Sequence, residues 1–146
     1  MPDHYILRGR DIIPVDMWIW TDWLERDYPE RVVGYWKFKS CNVSTVFLGL
    51  DHSFGGGVPI LFETLVFGGP MEHAGERYAT CDEAEAGHMR YCQEVSAAEA
   101  KLHWRKLKNY RNRLEMERRH MNDPVRRKRR LEQMRELVKK MEDANV

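Results

Sequence analysis

The fifty residues 97–146 contain no glycine and one proline, Pro124. From Ala98 they read "AEAKLHWRKLKNYRNRLEMERRHMNDPVRRKRRLEQMRELVKKMED". Leu, Met, Glu, Lys and Arg dominate, and these lose little side-chain freedom in a helix, so the segment is predicted helical throughout. Its one interruption, "HMNDP", offers Asn122 or Asp123 as a cap and Pro124 as a tolerated first residue, so two helices are expected rather than one. Leu131, Met134, Val138 and Met141 form a 3-4-3 apolar stripe, and Leu107, Tyr110, Leu114 and Met121 a looser one. These stripes fit three arrangements: a helical hairpin, a pairing with a second subunit, or a pairing with a partner.

The charge divides at nearly the same place. Residues 1–100 carry 8 Lys and Arg against 16 Asp and Glu, a net of −8, whereas residues 101–146 carry 16 against 7, a net of +9. The near-neutral total of +1 hides an acidic body, residues 1–96, followed by a basic arm, residues 97–146. Such a split points to a polyanionic partner, or to an arm that docks on an acidic surface of another copy or another protein. The length suits one small domain plus an extended appendage. The longest apolar run is about five residues, and "MPDHYILRGRDIIPV" mixes charge with strand formers, so neither a membrane span nor a signal peptide is expected. Cys41, Cys81 and Cys92 are odd in number without CxxC spacing, which suits reduced thiols in a cytosol.

In the body, His4 to Leu7 and Ile12 to Val15 read as a hairpin turning at Gly9. Asp16 caps a helix whose buried stripe is Met17, Trp20, Trp23 and Leu24, ended by Pro29. "RVVGYWKFK" alternates as a strand. "VSTVFLGLDHSFGGGVPILFETLVFGGP" then supplies two more strands around a glycine-rich loop, giving a sheet of three to five members. Thr80 and Glu83 form a capping box at the next helix, with Ala84, His88, Tyr91, Cys92 and Val95 as its buried stripe. The expected class is α+β: a small antiparallel sheet covered by two helices, then the two-helix basic arm.

Four constellations carry candidate chemistry. The "FGGGVP" loop lacks the Lys-Ser/Thr of a phosphate-binding loop and feeds a strand, so its glycines read as turn residues. Asp51, His52 and Glu63 offer acid-base groups. Pairing Asp51 with Pro59, however, sets Glu63 opposite Phe47, about four residues or on the order of 13 Å from the loop. A structural tie for Glu63, to a backbone amide or an arginine, is the simpler reading. Cys81, His88 and Cys92 share a helix face at spacings that suit zinc, although Cys and His on an apolar stripe are ordinarily core. No cofactor is expected. Among the aromatic residues Trp18, Trp20, Trp23, Tyr35 and Trp36, only Trp18 is expected at a surface.

The fourth constellation is Arg126, Arg127, Lys128, Arg129 and Arg130, with Arg118, Arg119 and Arg135 nearby. These cations suit a phosphate backbone, with Trp104 and Tyr110 as stacking platforms. The plainer reading is a solvated face balanced by Glu115, Glu132 and Glu136.

Over Ser44 to His88, "STVFLGLDHSFGGGVPILFETLVFGGP…ERYATCDEAEAGH", the chain resembles a family of small proteins encoded by bacteriophages and prophages. Members of that family open on a strand, a proline and a Trp-containing helix, as "YILRGRDIIPVDMWIWTDWLE" does, so the resemblance covers about residues 4 to 95. It implies a phage origin, the cytoplasm of an infected bacterial host, and the α+β body. It carries no catalytic residues, and the basic arm is an addition to the shorter form. The expectation is therefore a non-enzymatic binding protein of regulatory or counter-defence type. Its arm would engage nucleic acid or a host nucleoprotein, and the acidic residues Asp22, Glu25 and Asp27 would offer a second contact. The alternatives are an assembly protein that oligomerises through the arm, and a small hydrolase-like enzyme using Asp51, His52 and Glu63.

Overall fold

The structure is a computed structural model and describes residues 3–26 and 28–143, without the side chains of Tyr28, Met121 and Met141. Asp27, and the Met121 and Met141 positions of the two stripes, therefore lie outside the described groups. By its internal packing the chain divides into residues 1–102 and residues 103–146, called the body and the arm below.

The body is α+β. Strands β1 (His4–Arg8) and β2 (Asp11–Val15) form an antiparallel hairpin that is a sheet of its own. Helix α1 (Met17–Arg26) follows, capped by Asp16, whose Oδ1 accepts the Ile19 amide at 2.9 Å. A 3₁₀ turn at Tyr28–Arg31 holds Pro29. Strands β3 (Val32–Lys37), β4 (Cys41–Phe47), β5 (Phe62–Gly68) and β6 (Gly75–Tyr78) then make a four-stranded antiparallel sheet in sequence order. Helix α2 begins at Cys81 behind the expected capping box: Glu83 N donates to Thr80 Oγ1 at 3.2 Å and Thr80 N to Glu83 Oε2 at 3.0 Å. The backbone amide of Thr80 holds the Glu83 carboxyl below its ordinary pKa.

One face of the sheet carries the core. Phe47, 5.1 Å from Phe62 and 5.7 Å from Trp23 between ring centres, joins Tyr5, Ile6, Leu7, Leu61, Tyr78 and Ala84. Each large side chain buried this way contributes about 1.5–3 kcal/mol. A second cluster, Cys41, Val43, Val66 and Val95, sits under α2. Two glycines let the layers approach. A Cβ on Gly34 would lie 2.7 Å from the His88 ring, and one on Gly87 would lie 2.1 Å from the Tyr78 hydroxyl. Glu99 closes the seam further along α2 by accepting from the Ser40 amide at 2.8 Å and from the Ser40 hydroxyl.

Three expectations are corrected. In the β4–β5 hairpin Phe47 pairs with Phe62 and Val46 with Glu63, one residue away from the expected register. A slip of one exchanges faces, and the observed register buries both phenylalanines while turning Glu63 away from the core. Met17 is half-exposed, because the apolar side of α1 narrows to Trp20, Trp23 and Leu24. Tyr35 and Trp36 are also largely exposed, since β3 is a sheet edge; Trp18, at 77%, is exposed as expected.

Helix α2 (Cys81–Asn122) and helix α3 (Pro124–Asp143) complete the chain. Asp123 separates them: its Oδ1 accepts the Val125 amide at 3.0 Å, and Pro124 is the first residue of α3.

Candidate nucleic-acid interface

The acid-base candidates are each engaged in a structural tie. Asp51 Oδ1 accepts from the Ser53 amide at 2.8 Å and the Ile60 amide at 3.0 Å, and Oδ2 accepts from the Ser53 hydroxyl at 2.9 Å. The Ile60 and Ser53 amides hold this carboxyl below the ordinary aspartate range. Asp51 thus closes the base of the glycine loop across the hairpin. His52 Nδ1 donates to the Leu50 carbonyl at 2.8 Å. Glu63 accepts from Arg77 Nε at 2.7 Å on the neighbouring strand, the arginine tie expected of it.

The Cys and His candidates separate. His88 and Cys92 meet, with Nε2 and Sγ 3.6 Å apart, while Cys81 sits against Glu85 at the start of α2. No group of three or more metal-ligating side chains converges among the described residues. His88 instead heads a polar chain in the core: its Nδ1 is 2.8 Å from Thr45 Oγ1, which is 2.7 Å from Thr64 Oγ1. Both threonines are fully buried. Burial lowers the imidazole's pKa and raises those of the Cys92 and Cys81 thiols. The threonines escaped the sequence reading; small hydroxyls alternating with Val and Phe were the available signal.

In the arm, none of the described side chains from His103 to Asp143 is buried. Trp104 is 70% exposed; Leu107, Tyr110, Leu114, Leu131, Met134 and Val138 are 40–59% exposed. The two stripes are therefore not packed on each other as a hairpin, and Trp104 and Tyr110 are exposed. Arg113 lies over the Tyr110 ring, 5.6 Å from its centre.

Cations surround these apolar positions. Arg119 pairs with Glu115 at 2.8 Å, and Arg126 lies 3.7 Å from Asp123 and donates to His120. No carboxylate among the described residues is within ion-pair distance of Arg118, Arg127, Lys128, Arg129 or Arg135. Balance by Glu132 and Glu136 is not formed for these cations. At about 3.6 residues per turn, the five consecutive residues Arg126 to Arg130 encircle α3 across its first two turns as a collar. Three of these arginines, Arg126, Arg127 and Arg130, line an open groove of about 420 Å³ together with His120 and the apolar Leu131 and Met134.

No family model, curated protein or solved structure matches this chain. None of the described helices is long and apolar enough to cross a membrane.

Proposed function

We propose that the chain is a non-enzymatic binding protein whose basic helical arm contacts the phosphate backbone of nucleic acid. The observation that carries this reading is the arm's net charge of +8 over residues 103–146, together with Arg118, Arg127, Lys128, Arg129 and Arg135, cations that no carboxylate among the described residues approaches within ion-pair distance. Five adjacent positive side chains repel one another, and a polyanion relieves that repulsion while releasing its own counterions. The collar can meet phosphates from several directions, so affinity through charge rather than base sequence is the mode it suits. The resemblance to phage and prophage proteins adds the setting: a regulatory or counter-defence factor in the cytoplasm of an infected bacterium, acting on nucleic acid or on a host nucleoprotein.

The test is binding of the full chain to duplex DNA across a salt series, beside a variant with Arg127, Lys128 and Arg129 changed to Gln. The expected result is a steep loss of affinity with salt, with a log–log slope that falls by up to about three in the variant. A shallow slope unaffected by the substitutions overturns the reading.

One observation supports a second reading. Leu107, Tyr110 and Leu114 follow a 3-4 spacing and are exposed, as are Leu131, Met134, Leu137 and Val138, so the arm also suits helix pairing between copies. Sedimentation across a concentration series checks this: a mass that rises with concentration, and returns to the monomer in Leu107→Lys/Leu114→Lys, is its signature.

A further inference from the structure

The four-stranded sheet packs its core on one face alone. Both hydrophobic clusters draw on the inward residues, among them Val43, Phe47, Phe62 and Val66, whereas the alternate residues face outward. Cross-strand partners share a face, so the register places Lys37, Asn42 and Phe67 in one outward row and Tyr35, Ser44 and Leu65 in the next. Neither core cluster includes any of these six residues. Tyr35 and Phe67 are each 53% exposed, on the strands that flank β4. The Asn42 side-chain amide donates to the Tyr35 hydroxyl at 3.1 Å, so the tyrosine ring leans over β4 toward the strand position directly opposite Phe67.

This face also departs from the body's charge. It carries Lys37 and Arg77, and its carboxylate, Glu63, is tied to Arg77. A body of net −7 over residues 1–102 thus presents one aromatic face with a cationic edge. We infer that this face is a stacking platform for single-stranded nucleic acid, in which Tyr35 and Phe67 receive unpaired bases and Lys37 meets the backbone. Aromatic rings stack on any base, a ring already held by a hydrogen bond loses little freedom on binding, and bases inside a duplex cannot lie on a sheet face. The inference rests on the nucleic-acid reading of the chain and narrows it: the arm supplies charge, and the sheet selects the unpaired strand.

The test uses the full chain with a labelled oligothymidine single strand of about 12 nucleotides and a duplex of equal length, each across a salt series. Tyr35→Ala/Phe67→Ala is expected to weaken single-strand binding by roughly 10- to 100-fold while leaving duplex affinity and both salt slopes unchanged. Tyr35→Phe, which keeps the ring, is expected to keep most of the single-strand affinity, and melting curves confirm that the variants fold. Changing Arg127, Lys128 and Arg129 to Gln should instead lower both slopes and preserve the preference for single strands. A single-strand to duplex ratio that is unchanged in Tyr35→Ala/Phe67→Ala overturns the platform and leaves the arm standing. Salt-insensitive binding of the single strand that the double substitution abolishes overturns the arm and leaves the platform. Absence of binding to either probe overturns both, and a dimer broken by the same double substitution assigns the face to a second copy and overturns the platform.

Discussion

Leu61 in the body is 2% exposed and Leu114 in the arm is 45% exposed, and the contrast between these two leucines holds for their regions. In the body, apolar side chains meet one another and charged ones close seams: Arg10 reaches Asp82 and Glu85, Arg77 reaches Glu63, and Glu99 reaches Ser40. In the arm, apolar and cationic side chains alike face outward. Helix α2 shows how one element serves both. Its first turns are fixed by a capping box and by packing at Ala84, Gly87 and Val95, so the costly nucleation step is complete before the arm begins. Beyond Leu102 each further residue only has to extend an existing helix, which good helix formers do without burial.

Substitutions break or sharpen this contrast. The largest effect is expected for Phe47→Ala, which empties a fully buried site between Phe62 and Trp23 and should cost about 3–5 kcal/mol in urea denaturation. Leu114→Ala should cost less than about 0.5 kcal/mol, and comparable costs at the two sites would show that the arm is packed. Next comes Thr45→Val, which leaves Thr64 and His88 without their common partner and should cost roughly 1–3 kcal/mol.

Gly87→Ala tests the sign of helix propensity. Alanine favours an exposed helix by about 1 kcal/mol over glycine, yet here its Cβ meets Tyr78, so a lower melting temperature is expected, partly restored by adding Tyr78→Phe. Asn109→Ala, on an exposed position of the arm, should raise helicity with the ordinary sign. The smallest effect concerns pH. Above the ordinary histidine value of 6.5 both folded and unfolded chains hold His88 neutral. Below it the unfolded chain takes up the proton first, because burial depresses the folded value. Stability should therefore fall as pH drops through this range, and denaturation curves for His88→Gln should lose that part of the dependence.

The α+β class, both caps, the α2 stripe and the Asp123–Pro124 break were legible because each rests on local chemistry. The hairpin register was not. Leu65 and Phe67 present an apolar alternation that competes with Phe62, Thr64 and Val66, and the chain buries the set containing a threonine. There the Thr64 hydroxyl meets Thr45, which in turn meets His88, both distant in sequence. Strand β6, "GERY", is too short and polar to signal itself and is recruited by the β5 edge, where Glu63 opposes Arg77. The cations of the arm were legible as a cluster, and the outward aromatic pair was not, since nothing in "GYWKF" tells an edge strand from a central one.

The chain from Thr64 to Cys92 has a sense as well as a position. If His88 carries its proton on Nδ1, that nitrogen donates to Thr45, Thr45 donates to Thr64, and the bare Nε2 can accept from the Cys92 thiol. If the proton sits on Nε2 instead, Thr64 donates to Thr45, Thr45 donates to Nδ1, and the sulfur becomes the acceptor. The tautomer of one ring therefore sets the direction of two hydroxyls and the role of one thiol, so four side chains on three elements share a single binary variable.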